Sequence, residues 1–157
     1  MDANLYSALL HAHSIGRWIV LLLLIFAILN SLIAGSRPFI RTDARLGLIL
    51  TIFADLMLLI GATLWYYSAR GFQALKANGG ISGLDPGIRF YAVDHMAGML
   101  IAIILIHIGK AQGKKQMSDK SKHRRTMIFY LLALLIILAS IPWPGMNEIG
   151  RPLFRGF

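Results

Sequence analysis

Four long apolar segments constrain the fold of this chain more than any other feature. None of them contains a lysine or an arginine, and they are residues 18–36, 46–69, 90–109 and 126–147. A helix of about 20 apolar residues crosses the hydrocarbon core of a bilayer, so each segment is long enough to span a membrane. Apolar residues make up 57% of the sequence, whereas soluble domains contain roughly 45–50%. The sequence therefore predicts an all-α integral membrane protein.

The predicted architecture is a single transmembrane domain over residues 1–157, folded as a four-helix bundle with up-down-up-down topology. The stretch FQALKA, between the second and third apolar segments, is a candidate short surface helix, and the turn-forming runs NGG and DPG follow it. The absence of cysteine excludes disulfides and cysteine-based metal sites. The four membrane helices are predicted at about residues 5–34, 46–70, 88–110 and 124–141.

Most of the positive charge lies in two of the three connections between helices. The first connection, SRPFIRTDAR, and the third, GKAQGKKQMSDKSKHRR, hold ten of the sixteen lysines and arginines. The positive-inside rule places these loops in the cytoplasm and both chain termini outside. Such loops attract anionic lipids, so the net charge of +9 predicts a lipid bilayer and no nucleic acid as the partner. The other six basic residues are Arg17, Arg70, Lys76, Arg89, Arg151 and Arg155.

Two histidines lie at matching depths near the external ends of the first and third helices. His13 is a few residues inside the first apolar helix, and His95 is about seven residues into the third. Because both helices run in the same direction and each residue adds about 1.5 Å, the two side chains agree in depth to within about one turn. Two neutral imidazoles that face each other on separate helices can supply both axial ligands of a haem iron. The sequence therefore predicts His13 and His95 as the ligands of a haem.

Each of these histidines is followed three residues later by a glycine. The sequences are HSIG, which ends at Gly16, and HMAG, which ends at Gly98. Residues three apart lie on the same face of a helix, so a glycine there leaves room for a flat macrocycle beside the ligand. The competing interpretation is that Gly16 and Gly98 only allow helices to pack closely, as small residues often do in membranes.

Two arginines are candidate partners for the carboxylates of a haem. Arg17 is four residues after His13 on the same face, and its long side chain can reach back to the external interface. Arg89 is the second candidate, at the start of the third helix. A planar guanidinium suits carboxylates such as haem propionates. Arg17 is equally well explained as an interfacial anchor beside Trp18, and Asp94 is expected to meet Arg89 or solvent.

The stretches LLHAHSIGRWIVLLLL, RFYAVDHMAGMLIAIILIHIG and IPWP resemble the small bacterial membrane proteins of the cytochrome b-like class. The resemblance covers most of the chain, and the matching positions are His13, Arg17 and His95. It implies a haem b held between the four helices in the bacterial inner (cytoplasmic) membrane, and a role in electron transfer. We expect electrons to come from a quinol or from other respiratory membrane subunits and to leave near the external face. Whether the chain relays electrons or acts as an enzyme alone stays open.

One haem is expected, although larger b-type cytochromes with four helices often carry two. The first helix has no histidine near its cytoplasmic end. His107, about 18 Å beyond His95 along the helix, could bind a second haem together with His123 or a methionine. The simpler interpretation is that His107 is hydrogen-bonded at the interface and that His123 belongs to the solvated basic loop. Asp55 is expected to face the bundle interior or a polar cavity, because ionisable groups are costly in lipid.

Two other functions are compatible with the sequence. If residues 11–13 are extended, His11 and His13 form a chelate for copper or zinc that His95 can join. If these residues are helical, the side chains of His11 and His13 point about 160° apart, so only one of them faces the bundle. Alternatively, the chain is a cofactor-free helical subunit that stabilises a larger membrane complex.

Overall fold

The computed structural model describes residues 1–153, which contain helices and no strand. Four helical segments are long and apolar enough to cross a membrane, which confirms the predicted four-helix fold. A π-helical turn, Phe90–Asp94, joins α4 and α5 into one membrane-length segment. Arg155, which was counted among the basic residues outside the two basic connections, lies outside the described residues. The α-helices are α1 (Ala3–Ala34), α2 (Arg41–Tyr67), α3 (Phe72–Ala77), α4 (Pro86–Arg89), α5 (His95–Gln112) and α6 (Asp119–Ser140).

The four long helices form a ring in which each one packs against two neighbours. α1 packs against α2 and α6, and α5 packs against the same two helices, so α1 and α5 face each other across the bundle axis. The outer surface is apolar, as a bilayer requires: the exposed fraction is 82% for Ile33 and 65% for Leu59. The inside is filled by large side chains that are almost fully buried, including Leu24, Leu50, Ile106 and Tyr130.

Both helices that begin at the basic end start five residues earlier than predicted. α2 begins at Arg41, and Asp43 in its first turn accepts hydrogen bonds from the backbone N–H of Ile40 and from the side chains of Arg37 and Asn30. α6 begins at Asp119, and the Ser118 hydroxyl caps it by accepting a hydrogen bond from the backbone of Ser121. Hydropathy locates only the apolar part of a helix, so these polar first turns were missed. The other end of α2 is shorter than predicted, at Tyr67, whereas FQALKA forms α3 as expected.

The assignment of His123 to a solvated loop was wrong. The early start of α6 places His123 inside the helix, where it is fully buried. Its ring lies 5.1 Å from the ring of Phe39, which comes from the first connection. Both ring nitrogens lack a hydrogen-bond partner among the described residues. His123 therefore belongs to the packing between the two basic connections.

Candidate functional site

The structure brings together the two histidines that the sequence predicts as ligands. The ring centres of His13 on α1 and His95 on α5 are 6.3 Å apart, and the ring planes are inclined by 69°. A metal ion bonded to one nitrogen of each ring at about 2.0–2.1 Å would place the ring centres roughly 6 Å apart. The separation between the two imidazoles therefore suits a shared metal ion.

A π-helical turn sets the position of His95, and nothing in the sequence indicated it. The backbone N–H of His95 donates to the carbonyl of Phe90, five residues earlier. Within the same turn, the indole N–H of Trp65 on α2 donates to the carbonyl of Ala92 at 2.8 Å. Such turns insert an extra residue and are frequent at functional sites. Here the turn lies directly before His95 and is fixed to α2 by Trp65.

The backbone of α6 determines which nitrogen of His95 is available. His95 Nδ1 lies 2.8 Å from the carbonyl oxygen of Ser140, the last residue of α6. Because a carbonyl only accepts hydrogen bonds, Nδ1 carries the proton, and Nε2 of the neutral ring keeps its lone pair. Histidines that bind metals are commonly held by such a bond from the other ring nitrogen. Ser140 was not predicted as part of the site.

The ring of His13 lies against α2 at a position where only a glycine fits well. A Cβ atom on Gly61 would lie 3.1 Å from His13 Cε1. Nδ1 of His13 is buried and has no hydrogen-bond partner among residues 1–153. An unpaired buried polar atom costs about 1–3 kcal/mol, so a ligand that engages this ring would remove part of that cost.

These residues fit the axial ligand pair of a haem iron. The set consists of two partly buried imidazoles on opposite helices, one with its proton fixed on Nδ1 and one with an unpaired nitrogen. Haem iron in electron-transfer proteins is held by ligands of this kind. Gly61 provides the close backbone approach that keeps His13 in place.

The two predicted glycines pack against different neighbours. A Cβ on Gly16 would collide with the thioether of Met57, whereas a Cβ on Gly98 would collide with the hydroxyl of Ser140. Both glycines therefore bring α2 or α6 close to a histidine-bearing helix. A planar group bound beside Gly16 would displace only the flexible side chain of Met57, and the backbone would not have to move. The idea that Gly16 and Gly98 leave room for a macrocycle stays a prediction.

Arg17 and Arg89 differ in their surroundings. Arg17 donates from Nη2 to the carbonyl of Leu153, and its Nε is buried without a partner among the described residues. It lies four residues after His13 on α1, on the same face of that helix. Arg89 is exposed and pairs with Asp94 at 3.8 Å, as expected for that aspartate. Of the two arginines, Arg17 is the one beside the histidines.

The prediction that Asp55 faces the bundle interior or a polar cavity was wrong. Its side chain is 49% exposed on the outer surface, where Oδ1 lies 2.8 Å from Nε2 of His107. α2 and α5 are neighbours, so an aspartate at the edge of their groove finds a polar partner without entering the core. His107 is hydrogen-bonded, in line with the simpler interpretation of that residue.

The condition for the copper or zinc chelate is not met. Residues 11–13 are helical, and no group of three or more potential metal ligands occurs within residues 1–153. No protein family, curated protein or solved structure matches this chain.

Proposed function

We propose that this chain is a membrane-embedded haem b protein that relays electrons, as its resemblance to the cytochrome b-like class suggests. One haem b is held by His13 and His95. The observation that carries this proposal is the pair of partly buried imidazoles on opposite helices with ring centres 6.3 Å apart. When bound, the haem supplies reversible one-electron chemistry.

The residues around the two histidines have separate tasks in this proposal. Ser140 holds the proton of His95 on Nδ1, so Nε2 is the nitrogen that would bind the haem iron. Arg17 places a permanent positive charge one turn from His13 on α1. The tightly packed core below the histidines, which includes Leu24 and Ile106, excludes water. This chain's contribution is to position and insulate the redox group, with a quinol or a respiratory subunit as the electron donor.

Absorption spectra of the purified protein, produced with ample haem, test the proposal. We expect a reduced spectrum with the sharp α-band of low-spin haem b and a haem-to-protein ratio near one. A colourless, folded protein would contradict the proposal and would favour the cofactor-free subunit. Zinc or copper bound in place of haem would also contradict the proposal.

The orientation that we propose puts the basic connections in the cytoplasm of a bacterium and the histidine pair near the external face of the inner membrane. Alkaline phosphatase is active only outside the cytoplasm, so its fusions report the orientation. We expect activity for a fusion at the C-terminus and none for a fusion within residues 113–118. The reverse pattern would overturn this orientation but leave the histidine pair intact.

Replacing Arg17 with leucine should lower the midpoint potential of the haem. A nearby positive charge stabilises the reduced site, which is the more negative one. At a distance of about 10 Å and an effective dielectric constant near 20, one charge contributes roughly 1–2 kcal/mol, which corresponds to several tens of millivolts for one electron. A redox titration with Arg45→Leu, at the basic end, as the control measures the shift. An unchanged midpoint potential in Arg17→Leu would mean that Arg17 anchors Leu153 and does not affect the haem.

A further inference from the structure

A polar strip runs from the apolar outer surface of the groove between α2 and α5 into the bundle, where Thr51 is buried. The strip, defined by Thr51, Asp55, His107 and Lys110, contains two hydrogen-bonded pairs. His107 Nε2 lies 2.8 Å from Asp55 Oδ1, and Lys110 Nζ donates to Thr51 Oγ1 at 3.2 Å. The neighbouring side chains on the same surface are apolar and exposed, including Leu56, Leu59, Ile104 and Ile108.

The Asp55–His107 pair is only half covered by the protein. The exposed fraction is 49% for the Asp55 side chain and 46% for that of His107. Ionisable groups within a membrane are costly and usually mark a pathway or a binding site. The bond to Asp55 uses Nε2, so Nδ1 of the half-exposed ring remains outside that bond. The pair can therefore exchange a proton with a molecule that approaches from the bilayer.

The strip leads to a cavity at the basic end of the bundle. The Thr51–Lys110 pair lies one turn from Asp55 and His107 toward that end. Lys110 also lines a cavity of about 80 Å³, which exceeds the roughly 30 Å³ that one water occupies in the liquid. The hydroxyl of Tyr130 in its wall is buried without a hydrogen-bond partner among the described residues. Polar groups thus extend from the pair to the basic connections.

We propose that the Asp55–His107 pair binds the headgroup of a quinol that enters sideways from the bilayer and takes up the proton that the quinol releases. A quinol is uncharged and lipid-soluble, and its hydroxyls can donate to an imidazole nitrogen and a carboxylate. An anionic lipid phosphate fits poorly, because the Asp55 carboxylate repels it. This inference rests on the proposed function in one respect only: the haem is the acceptor of the electrons that the quinol gives up.

The proton transfer balances without any other reactant. A quinol hydroxyl gives its proton to Nδ1 of the neutral His107 ring, so the O–H bond breaks and an N–H bond forms. His107 passes the proton on its Nε2 to the ionised Asp55 carboxylate. The result is a quinol anion and a neutral carboxylic acid on Asp55, so the released proton stays on the pair. His107 and Asp55 act as the base and the proton acceptor.

A photoreactive azidoquinone and direct binding of a short-chain quinol to the protein in lipid nanodiscs test the site. We expect the cross-links to map to the parts of α2 and α5 around Asp55 and His107. Asp55→Asn and His107→Leu should each weaken binding by about tenfold or more, as the loss of a roughly 1.4 kcal/mol interaction implies. Asp119→Asn is the matched control, because Asp119 also belongs to a partly exposed ion pair, with Lys122. The control should bind the quinol as the wild type does.

The outcomes separate this site from the proposed function. Quinol binding that depends on Asp55 and His107 in a protein without haem would support the site while the haem proposal fails. A normal haem spectrum with quinol binding unchanged in both variants would overturn the site and leave the haem proposal intact. A change of oligomeric size in Asp55→Asn without any quinol binding would also overturn it, since the pair would then join helices of two chains.

Discussion

His13→Ala and His95→Ala should each abolish the low-spin haem spectrum and weaken haem binding by more than about 100-fold, because each variant removes one of the two ligands that we propose for the haem. Even the loss of a group that merely orients a ligand typically costs 10–100-fold in metal affinity, so the loss of the ligand itself should cost more. The two variants should have equal effects if the iron lies between the rings. Haem titration of the purified apoproteins, followed by absorption spectra, measures the change.

His11→Ala is the matched control for His13→Ala, because His11 lies two residues away on the same helix and points away from the ring of His13. It should bind haem as the wild type does. Helical content and size-exclusion profiles show whether each variant remains folded. A folded His95→Ala protein with an unchanged spectrum would exclude His95 as a ligand. His123→Ala is a poor control, since His123 is fully buried and its loss leaves a cavity.

The number and order of the membrane helices could be predicted because an apolar segment needs a minimum length to cross a bilayer. The depth match of His13 and His95 followed from the same arithmetic along two parallel helices. The polar first turns of α2 and α6 were missed, since Arg41 and Asp119 lie outside the apolar segments. Their helical state depends on capping by Asp43 and Ser118, which hydropathy does not measure.

The surroundings of the histidines could not be predicted, for two physical reasons. Ser140 holds His95 through its backbone carbonyl, a group that every residue has, so no side-chain pattern reveals it. The π-helical turn before His95 inserts one extra residue into the helix. The apolar residues around it keep the spacing of an ordinary α-helix, so the sequence pattern does not reveal the turn. Gly61 contacts His13 only because α2 packs beside α1. Such features depend on tertiary packing.

The second large effect is expected at Gly98, where α5 and α6 meet next to the site. In Gly98→Ala the new methyl group collides with the Ser140 hydroxyl and lies 3.1 Å from its Cβ. Overpacking of this kind costs about 1–3 kcal/mol. The strain separates α6 from α5 and moves the Ser140 carbonyl away from His95, so haem affinity should fall by roughly 10–100-fold. Thermal unfolding and haem dissociation rates measure the two effects.

A compensating change and a matched control show whether the contact with Ser140 is the cause. Ser140→Gly in the Gly98→Ala background removes the colliding side chain and keeps the carbonyl, so stability and haem affinity should both recover. Gly16→Ala meets only the flexible thioether of Met57, so we expect it to lower the free energy of unfolding by less than about 1 kcal/mol. Weaker haem binding in Gly16→Ala without lower stability would indicate that Gly16 faces the macrocycle. If haem binding and stability are both unchanged in Gly16→Ala, Gly16 serves only the packing of α1 against α2. A failure of Ser140→Gly to rescue Gly98→Ala would contradict the proposed role of Ser140.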